Sequence, residues 1–180
     1  MYAAAIITGC IFIYSCENDQ KAIDIWTKPK ELKEEATKVE SYFSQDGKVK
    51  AKLTAPLMLR ITTTTIYVEF PNSLHVDFYN DSTKVQTRLD SKYGKYFEGE
   101  EKVYLRDSVV VVTVAGDTLK SPDLWWDQGK GTFYTDKYAV YSSKTQLIQG
   151  GEGLEATDDL KTVTFKKPTG LVEVKEDSLP

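Results

Sequence analysis

The stretch LHVDFY (74–79) alternates between apolar and polar or amphipathic side chains. Successive side chains of a β-strand point to opposite faces, so this pattern is typical of a strand with one buried face. It predicts that Leu74, Val76 and Phe78 face a core, whereas His75 faces solvent. The stretch therefore indicates a short strand in a sheet that is covered on one side.

Turn signals bracket this strand and recur along the chain at the spacing of short hairpins. They are Gln45-Asp46-Gly47, Pro71-Asn72-Ser73, Asn80-Asp81-Ser82, Glu98-Gly99-Glu100, Ala115-Gly116-Asp117 and Gln128-Gly129-Lys130. The composition includes 11 tyrosines among 180 residues, and aromatic side chains favour a pleated surface. The sequence predicts an all-β fold of short antiparallel strands.

Several segments of the chain echo one another. The alignments join KVKAKLTA (48–55) with KVQTRLDS (84–91), and TRLDSKYGKYFEGEEKV (87–103) with DTLKSPDLWWDQGKGTF (117–133). Their offsets are 36 and 30 residues. In the second alignment Leu89 matches Leu119, and Tyr96 matches Trp126. Echoes of this kind predict stacked units that bury their apolar faces against their neighbours.

Alternation within these segments places one apolar set on the inside of a folded-over sheet. Of the two adjacent tryptophans, Trp126 is predicted to face inward and Trp125 outward, while the parity of VVVVTV (109–114) stays open. The predicted interior residues are Leu53, Leu74, Val76, Phe78, Val85, Leu89, Tyr96, Val103, Leu119, Leu124, Trp126, Phe133 and Leu154.

The N-terminal segment Tyr2–Ser15 carries no charge over fourteen residues. A bilayer-spanning helix needs about 20 residues, so the segment is better explained as the apolar part of a signal peptide. It ends at Cys16, and the only other cysteine is Cys10. Both cysteines follow a small residue, as in a bacterial lipobox. The longer apolar run before Cys16 and the polar ENDQ (17–20) after it favour Cys16 as the lipidated residue; Cys10, a buried helix and a truncated transmembrane anchor are the alternatives.

The chain is accordingly divided into an anchor (1–16), a polar tether (17–40) and a β domain (41–176). The charged residues 30–35 permit a short helix within the tether. The last strand candidates are residues 162–166 and 171–175. An open sheet leaves unpaired backbone groups at its terminal strands, where another protein's strand can be added.

Composition and motifs favour a binding protein over an enzyme. The net charge of −4 and the lack of a basic stripe argue against nucleic acid. His75 has no evident nucleophile, and Asp158-Asp159 lacks calcium-loop spacing. Gly150–Gly153 lacks a phosphate-loop ending, so a bend or close strand approach is expected there. No metal or cofactor is predicted.

The longest patterned segments resemble the LptC family, the periplasmic component of the lipopolysaccharide exporter. They are YFSQDGKVKAKLTAPLMLR (42–60), YVEFPNSLHVDFYND (67–81), TRLDSKYGKYFEGEEKVYLRDSVVVV (87–112), GDTLKSPDLWWDQGKGTFYTDKYAVY (116–141) and IQGGEGLEATDDLKTVTF (148–165). The resemblance covers about residues 40 to 168 and rests on order and spacing. The best-known members carry an uncleaved transmembrane helix, whereas the apolar run here ends at a lipobox-like cysteine.

The resemblance implies an open, twisted β-jellyroll whose interior carries the acyl chains of lipopolysaccharide. It also implies two docking ends, one for the LptB–LptF–LptG transporter of the inner membrane and one for an LptA-like bridge protein. The positions of the terminal strand candidates place the transporter contact near residues 42–59 and the bridge contact on residues 147–166. The expected bridge-contact residues are Ile148, Thr162, Thr164 and Phe165. The alternatives are a β-rich adhesion or binding lipoprotein at the cell surface and a carbohydrate-active lipoprotein enzyme.

Overall fold

The computed structural model describes residues 32–63 and 65–172, which contain fourteen strands in one antiparallel sheet and no helix. The strands are β1 (Leu32–Gln45), β2 (Lys48–Thr62), β3 (Ile66–Phe70), β4 (Leu74–Tyr79), β5 (Val85–Ser91), β6 (Tyr93–Phe97), β7 (Lys102–Thr113), β8 (Thr118–Asp127), β9 (Thr132–Thr135), β10 (Ala139–Ser142), β11 (Gln146–Gly150), β12 (Leu154–Thr157), β13 (Val163–Phe165) and β14 (Pro168–Val172). The predicted all-β, jellyroll-like class is confirmed.

The sheet is folded over into two leaves. The first leaf contains β4, β5, β10, β11 and β14, and the second leaf contains β3, β6, β9, β12 and β13. The long strands β2, β7 and β8 run through both leaves, pairing with first-leaf strands at one end and second-leaf strands at the other. The long strand β1 pairs with β2 alone. The connections between leaves lie along one side, called here the spine, and the hairpin tips lie along the opposite side, called here the mouth.

The long strands bend where they cross the spine. In β1 the bend is at Lys38, with φ 54°, beside Pro56 of β2. In β7 it is a bulge at Asp107 and Ser108, with φ 64° and 67°, beside Pro122 of β8. A proline donates no N–H, so both prolines suit positions where the ladder is interrupted.

The predicted repeat has a structural explanation. Leu89 and Leu119 lie on either side of Val111, and Tyr96 and Trp126 lie on either side of Val103. The offset of 30 residues thus relates strands that flank the two ends of β7. Inward-facing residues on neighbouring strands therefore lie side by side across each leaf. In the first leaf they are Val76, Leu89, Val111, Leu119 and Tyr141. In the second leaf they are Tyr96, Val103, Trp126, Phe133 and Ala156.

The predicted boundary between tether and domain is wrong for residues 32–40. These residues belong to β1, which pairs with β2 along most of its length, and residues 32–35 form no helix. Most of β1 is exposed, so its sequence shows no apolar alternation. Its polar side chains pair across the ladder instead, as Lys52 Nζ does with Glu40 Oε2 at 2.9 Å.

Some predictions fall outside the described residues. They are the anchor 1–16 with Cys10 and Cys16, the remainder of the tether at 17–31, and the end of the β domain at 173–176.

Candidate ligand-binding cavity

The core lies between the two leaves and contains nearly all the predicted interior residues. Ten of them are buried, with at most 4% of the residue exposed: Leu74, Val76, Phe78, Leu89, Val103, Leu119, Leu124, Trp126, Phe133 and Leu154. Leu53 and Tyr96 are half-buried and pack against this core. Burial of Tyr96 raises the pKa of its hydroxyl.

Val85 is the exception among the predicted interior residues. It is half-buried and lies outside the core cluster. A register shift in the β4–β5 ladder places it opposite Tyr79, whereas Thr87 lies opposite the inward-facing Phe78. The bulge interrupts the strict alternation on which the prediction depended.

An apolar cavity of about 260 Å³ lies between the leaves near the N-terminal strands. Five predicted interior residues line it: Leu53, Val76, Tyr96, Val103 and Trp126. It is also lined by three residues that the sequence patterns do not predict, namely Phe43, Met58 and Phe70. Phe43 lies opposite Ala51 in the β1–β2 hairpin because the register shifts between Phe43 and Ser44. Counting back from the Asp46-Gly47 turn without this shift places Phe43 opposite the outward-facing Lys50, so the sequence spacing does not predict its inward position.

The C-terminal part of the core is filled by side chains. Leu89, Leu119, Leu124 and Phe133 are at most 1% exposed, and none of them lines the apolar cavity. The predicted interior set therefore divides into residues that line the open cavity and buried residues that do not.

A second, polar cavity of about 300 Å³ spans the mouth between hairpin tips of the two leaves. The first leaf contributes Lys50 and Asp81, whose Nζ and Oδ1 atoms are 3.0 Å apart, and the hydrogen bond lowers the pKa of Asp81. The second leaf contributes Asp158, whose pKa is raised by burial and then by the charge of Asp159. The mouth is charged, whereas the cavity beneath it is apolar.

Trp126 lies where the two cavities meet, together with Phe43 and Gln128. Its ring packs edge-on against Phe43 and Phe78, with centroid separations of 6.0 and 4.9 Å. Trp125 stacks with Tyr134 at 6.2 Å and 7°, and it lies opposite Tyr104 on the outer face. The prediction that the two tryptophans face opposite ways agrees with this arrangement.

The strand edges differ from the predicted contact regions. Ile148 lies in β11, which pairs with β10 on one side and β14 on the other, so it is not at a free edge. Likewise residues 48–59 lie in β2, between β1 and the strands β3 and β4. Within the described residues, the outermost strands are β1 at one end and β13 and β14 at the other.

The ladder also identifies which donors of β13 face outward. Thr157 N–H donates to Thr162 O, and Lys166 N–H donates to Gly153 O, both at 3.0 Å. Ladder bonds alternate along an antiparallel pair, so the N–H of Thr164 points toward β12. The outward-facing donors are those of Val163 and Phe165, the residues on either side of Thr164.

His75 and Gly153, which the sequence analysis considered as possible functional positions, lie away from the apolar cavity. His75 Nδ1 lies 2.8 Å from Asp90 Oδ1, and Nε2 lies 3.3 Å from Asp77 Oδ1. Partial burial by itself lowers the pKa of His75, but the hydrogen bonds and charges of these carboxylates raise it overall. At Gly153, with φ 101°, a Cβ would lie 2.2 Å from Thr135 O, which explains glycine at this close strand approach.

Within residues 32–63 and 65–172, no group of three acidic, histidine or cysteine side chains is arranged to hold a metal ion. The same part of the chain contains no helix long and apolar enough to cross a bilayer.

The fold and cavity define a class of all-β proteins in which a folded-over antiparallel sheet encloses an apolar space. A family model described as "Lipopolysaccharide-assembly, LptC-related" matches residues 1–170, and the chain belongs to this family. It is therefore a component of lipopolysaccharide transport, in a family of periplasmic transport and binding proteins rather than enzymes. No curated protein matches the chain.

Proposed function

We propose that the chain binds the acyl chains of lipopolysaccharide between its two leaves. It receives the lipid from the LptB–LptF–LptG transporter and relays it to an LptA-like bridge protein. In this proposal the protein works in the periplasm and is held at the inner membrane by lipid on Cys16. The observation that carries the proposal is the apolar cavity of about 260 Å³ between the leaves, beside the terminal strand β1.

The physical task is to keep acyl chains out of water during transfer. Each methylene that is kept buried is worth about 0.8 kcal/mol, so the barrier to crossing water grows with chain length. The cavity offers Leu53, Met58 and Val103 as an apolar lining, while the polar mouth suits a charged, hydrated head group. No chemical step or energy source is required of this chain; the transporter supplies the energy.

Relay through the C-terminal part requires the leaves to separate. The side chains of Leu119, Leu124 and Phe133 fill that part of the core. Their contacts across the core are apolar and non-directional, so an acyl chain can replace them with little change in chemistry. We propose that lipid first occupies the cavity near β1 and then moves between the leaves toward β12 and β13.

The terminal strands supply continuity with the partners. A strand of the transporter would add to the outer edge of β1, and a strand of the bridge protein would add to β13 or β14. Backbone pairing fixes register and direction, so the interior of one protein is aligned with that of the next. The proposed transporter contact is therefore at residues 32–45 instead of the predicted 42–59. The proposed bridge contact is at residues 163–172 instead of the predicted 147–166.

Native mass spectrometry of the full chain, purified from cell envelopes in mild detergent, tests the proposal. The chain is expected to carry lipopolysaccharide, and Leu53→Gln should lower the bound fraction severalfold. Lys52→Gln is the matched control, because Lys52 is adjacent in β2 and faces outward opposite Asp77. A lipid-free chain, or equal loss in both variants, would contradict the proposal.

A further inference from the structure

Trp126 contains a buried donor without an acceptor. The residue is 4% exposed, and its Nε1–H has no hydrogen-bond partner among residues 32–63 and 65–172. Buried polar groups are nearly always paired, and leaving one unpaired is costly. A buried N–H of this kind suggests that a bound ligand supplies the acceptor.

The surroundings of Trp126 indicate what kind of ligand could supply the acceptor. Trp126 lines both the apolar cavity and the polar cavity at the mouth, as does Gln128. The indole is surrounded by Phe43 and Phe78, whose ring faces are weak acceptors at best. The residue that carries this donor therefore lines the boundary where an amphipathic ligand changes from apolar to polar.

We propose that the indole N–H of Trp126 donates a hydrogen bond to the carbonyl oxygen of an acyl ester or amide. This inference rests on the proposed function and adds the chemical group that is recognised. In an acylated sugar the carbonyl lies where the hydrocarbon tail joins the head group. With the tail in the apolar cavity and the head group in the mouth, that carbonyl is held beside Trp126, and the Gln128 side chain lines the same boundary.

The arrangement gives the site a preference for acyl over alkyl lipids. A ligand without an acceptor leaves the buried N–H unpaired, and sites built around a hydrogen bond discriminate against such ligands. A single hydrogen bond of ordinary net strength corresponds to roughly a 2- to 12-fold difference in affinity.

Two synthetic ligands with equal tails test the inference on the full chain. N-dodecanoyl glucosamine has an amide carbonyl, whereas dodecyl thioglucoside has a sulfur, which is a weak acceptor. The native chain should bind the amide roughly 2- to 12-fold more tightly. Replacing Trp126 by benzothienylalanine, which keeps the ring shape and lacks the N–H, should abolish the preference. Trp125→Phe, on the outer face of the same strand, should retain it.

A second measurement avoids any variant at Trp126. The indole ¹H–¹⁵N resonance of Trp126 in the native chain should move downfield with the amide ligand and much less with the thioglucoside. Equal affinities for the two ligands, or an unmoved indole resonance with the amide bound, would overturn the inference and leave acyl binding intact. Binding of neither ligand, nor of lipopolysaccharide, would instead refute the proposed function.

Discussion

The ring of Phe43 in β1 packs edge-on against Trp126 of β8, with centroids 6.0 Å apart and ring planes at 83°. This contact joins the terminal strand, where a partner strand would dock, to a residue that lines both cavities. In the proposed function, docking at β1 and occupancy of the cavity would therefore act on the same pair of rings.

Phe43→Ala should destabilise the protein and enlarge the cavity. Truncating a core phenylalanine costs about 3–5 kcal/mol, and Phe43 is half-buried, so we expect a loss of about 1–2 kcal/mol in the free energy of unfolding. Urea titration of the purified chain measures it. Tyr42→Ala is the control, since Tyr42 is 55% exposed and should change stability by no more than about 0.5 kcal/mol. Equal losses would show that the Phe43 contact is not specific.

Amide hydrogen exchange should distinguish the two sides of β13. The N–H of Thr164 points into the ladder with β12 and should exchange slowly, whereas those of Val163 and Phe165 should exchange quickly. Adding the bridge protein should protect Val163 and Phe165 if it pairs with this edge. Protection of Thr164 alone, or no protection of any of the three, would remove β13 from the contact. Proline at Thr164 would be a poor probe, because it breaks the fold's own pairing.

Adjacent carboxylates at the mouth should have opposite effects on stability. Burial is the main cause of the raised pKa of Asp158, so the folded state favours the protonated carboxyl group. The stabilisation that this gives is complete below the ordinary pKa of about 3.9, and it is lost as pH rises through the higher folded pKa. Asp158→Asn should therefore stabilise the chain at neutral pH, by less than about 1 kcal/mol, and this gain should vanish at low pH.

Asp159→Asn is the matched comparison. Burial opposes ionisation of Asp159, but hydrogen bonds from Lys161 and Thr157 outweigh it and lower its pKa. The stabilisation given by the ionised Asp159 is present above its ordinary pKa and is lost as pH falls through the lower folded pKa. Asp159→Asn should destabilise the chain at neutral pH by about 1 kcal/mol. Urea titrations from acid to neutral pH would contradict both assignments if the two variants changed stability in the same direction.

The sequence predicts the fold class and most of the core because inward-facing residues alternate strictly in β4, in the Thr87–Ser91 part of β5, and within each leaf in β8. It fails at β1, where the strand is exposed on most of its length and its pairing with β2 leaves no apolar pattern. It also fails at Val85, because one extra residue in the β4–β5 ladder changes the face. Alternation reports the direction of a side chain and carries no information on local packing density, so it could not separate Leu53 at the cavity from Leu119 in the filled core.

Lipidation should depend on Cys16. The apolar run ends there and a polar sequence follows, as in a processed lipoprotein. Cys16→Ser should abolish incorporation of a clickable fatty acid and release the chain from the membrane fraction, whereas Cys10→Ser should do neither. Retained labelling in Cys16→Ser would move the modification to Cys10 or replace it with a different anchor.

Site-specific photo-crosslinking in cells tests the central claim most directly. A photoreactive residue at Leu53, which lines the cavity, should capture lipopolysaccharide, and one at the adjacent outward-facing Lys52 should not. The same residue at Leu119, in the filled core, should capture the lipid only while the transporter hydrolyses ATP. Equal capture at Leu53 and Lys52, or capture at neither, would contradict binding between the leaves.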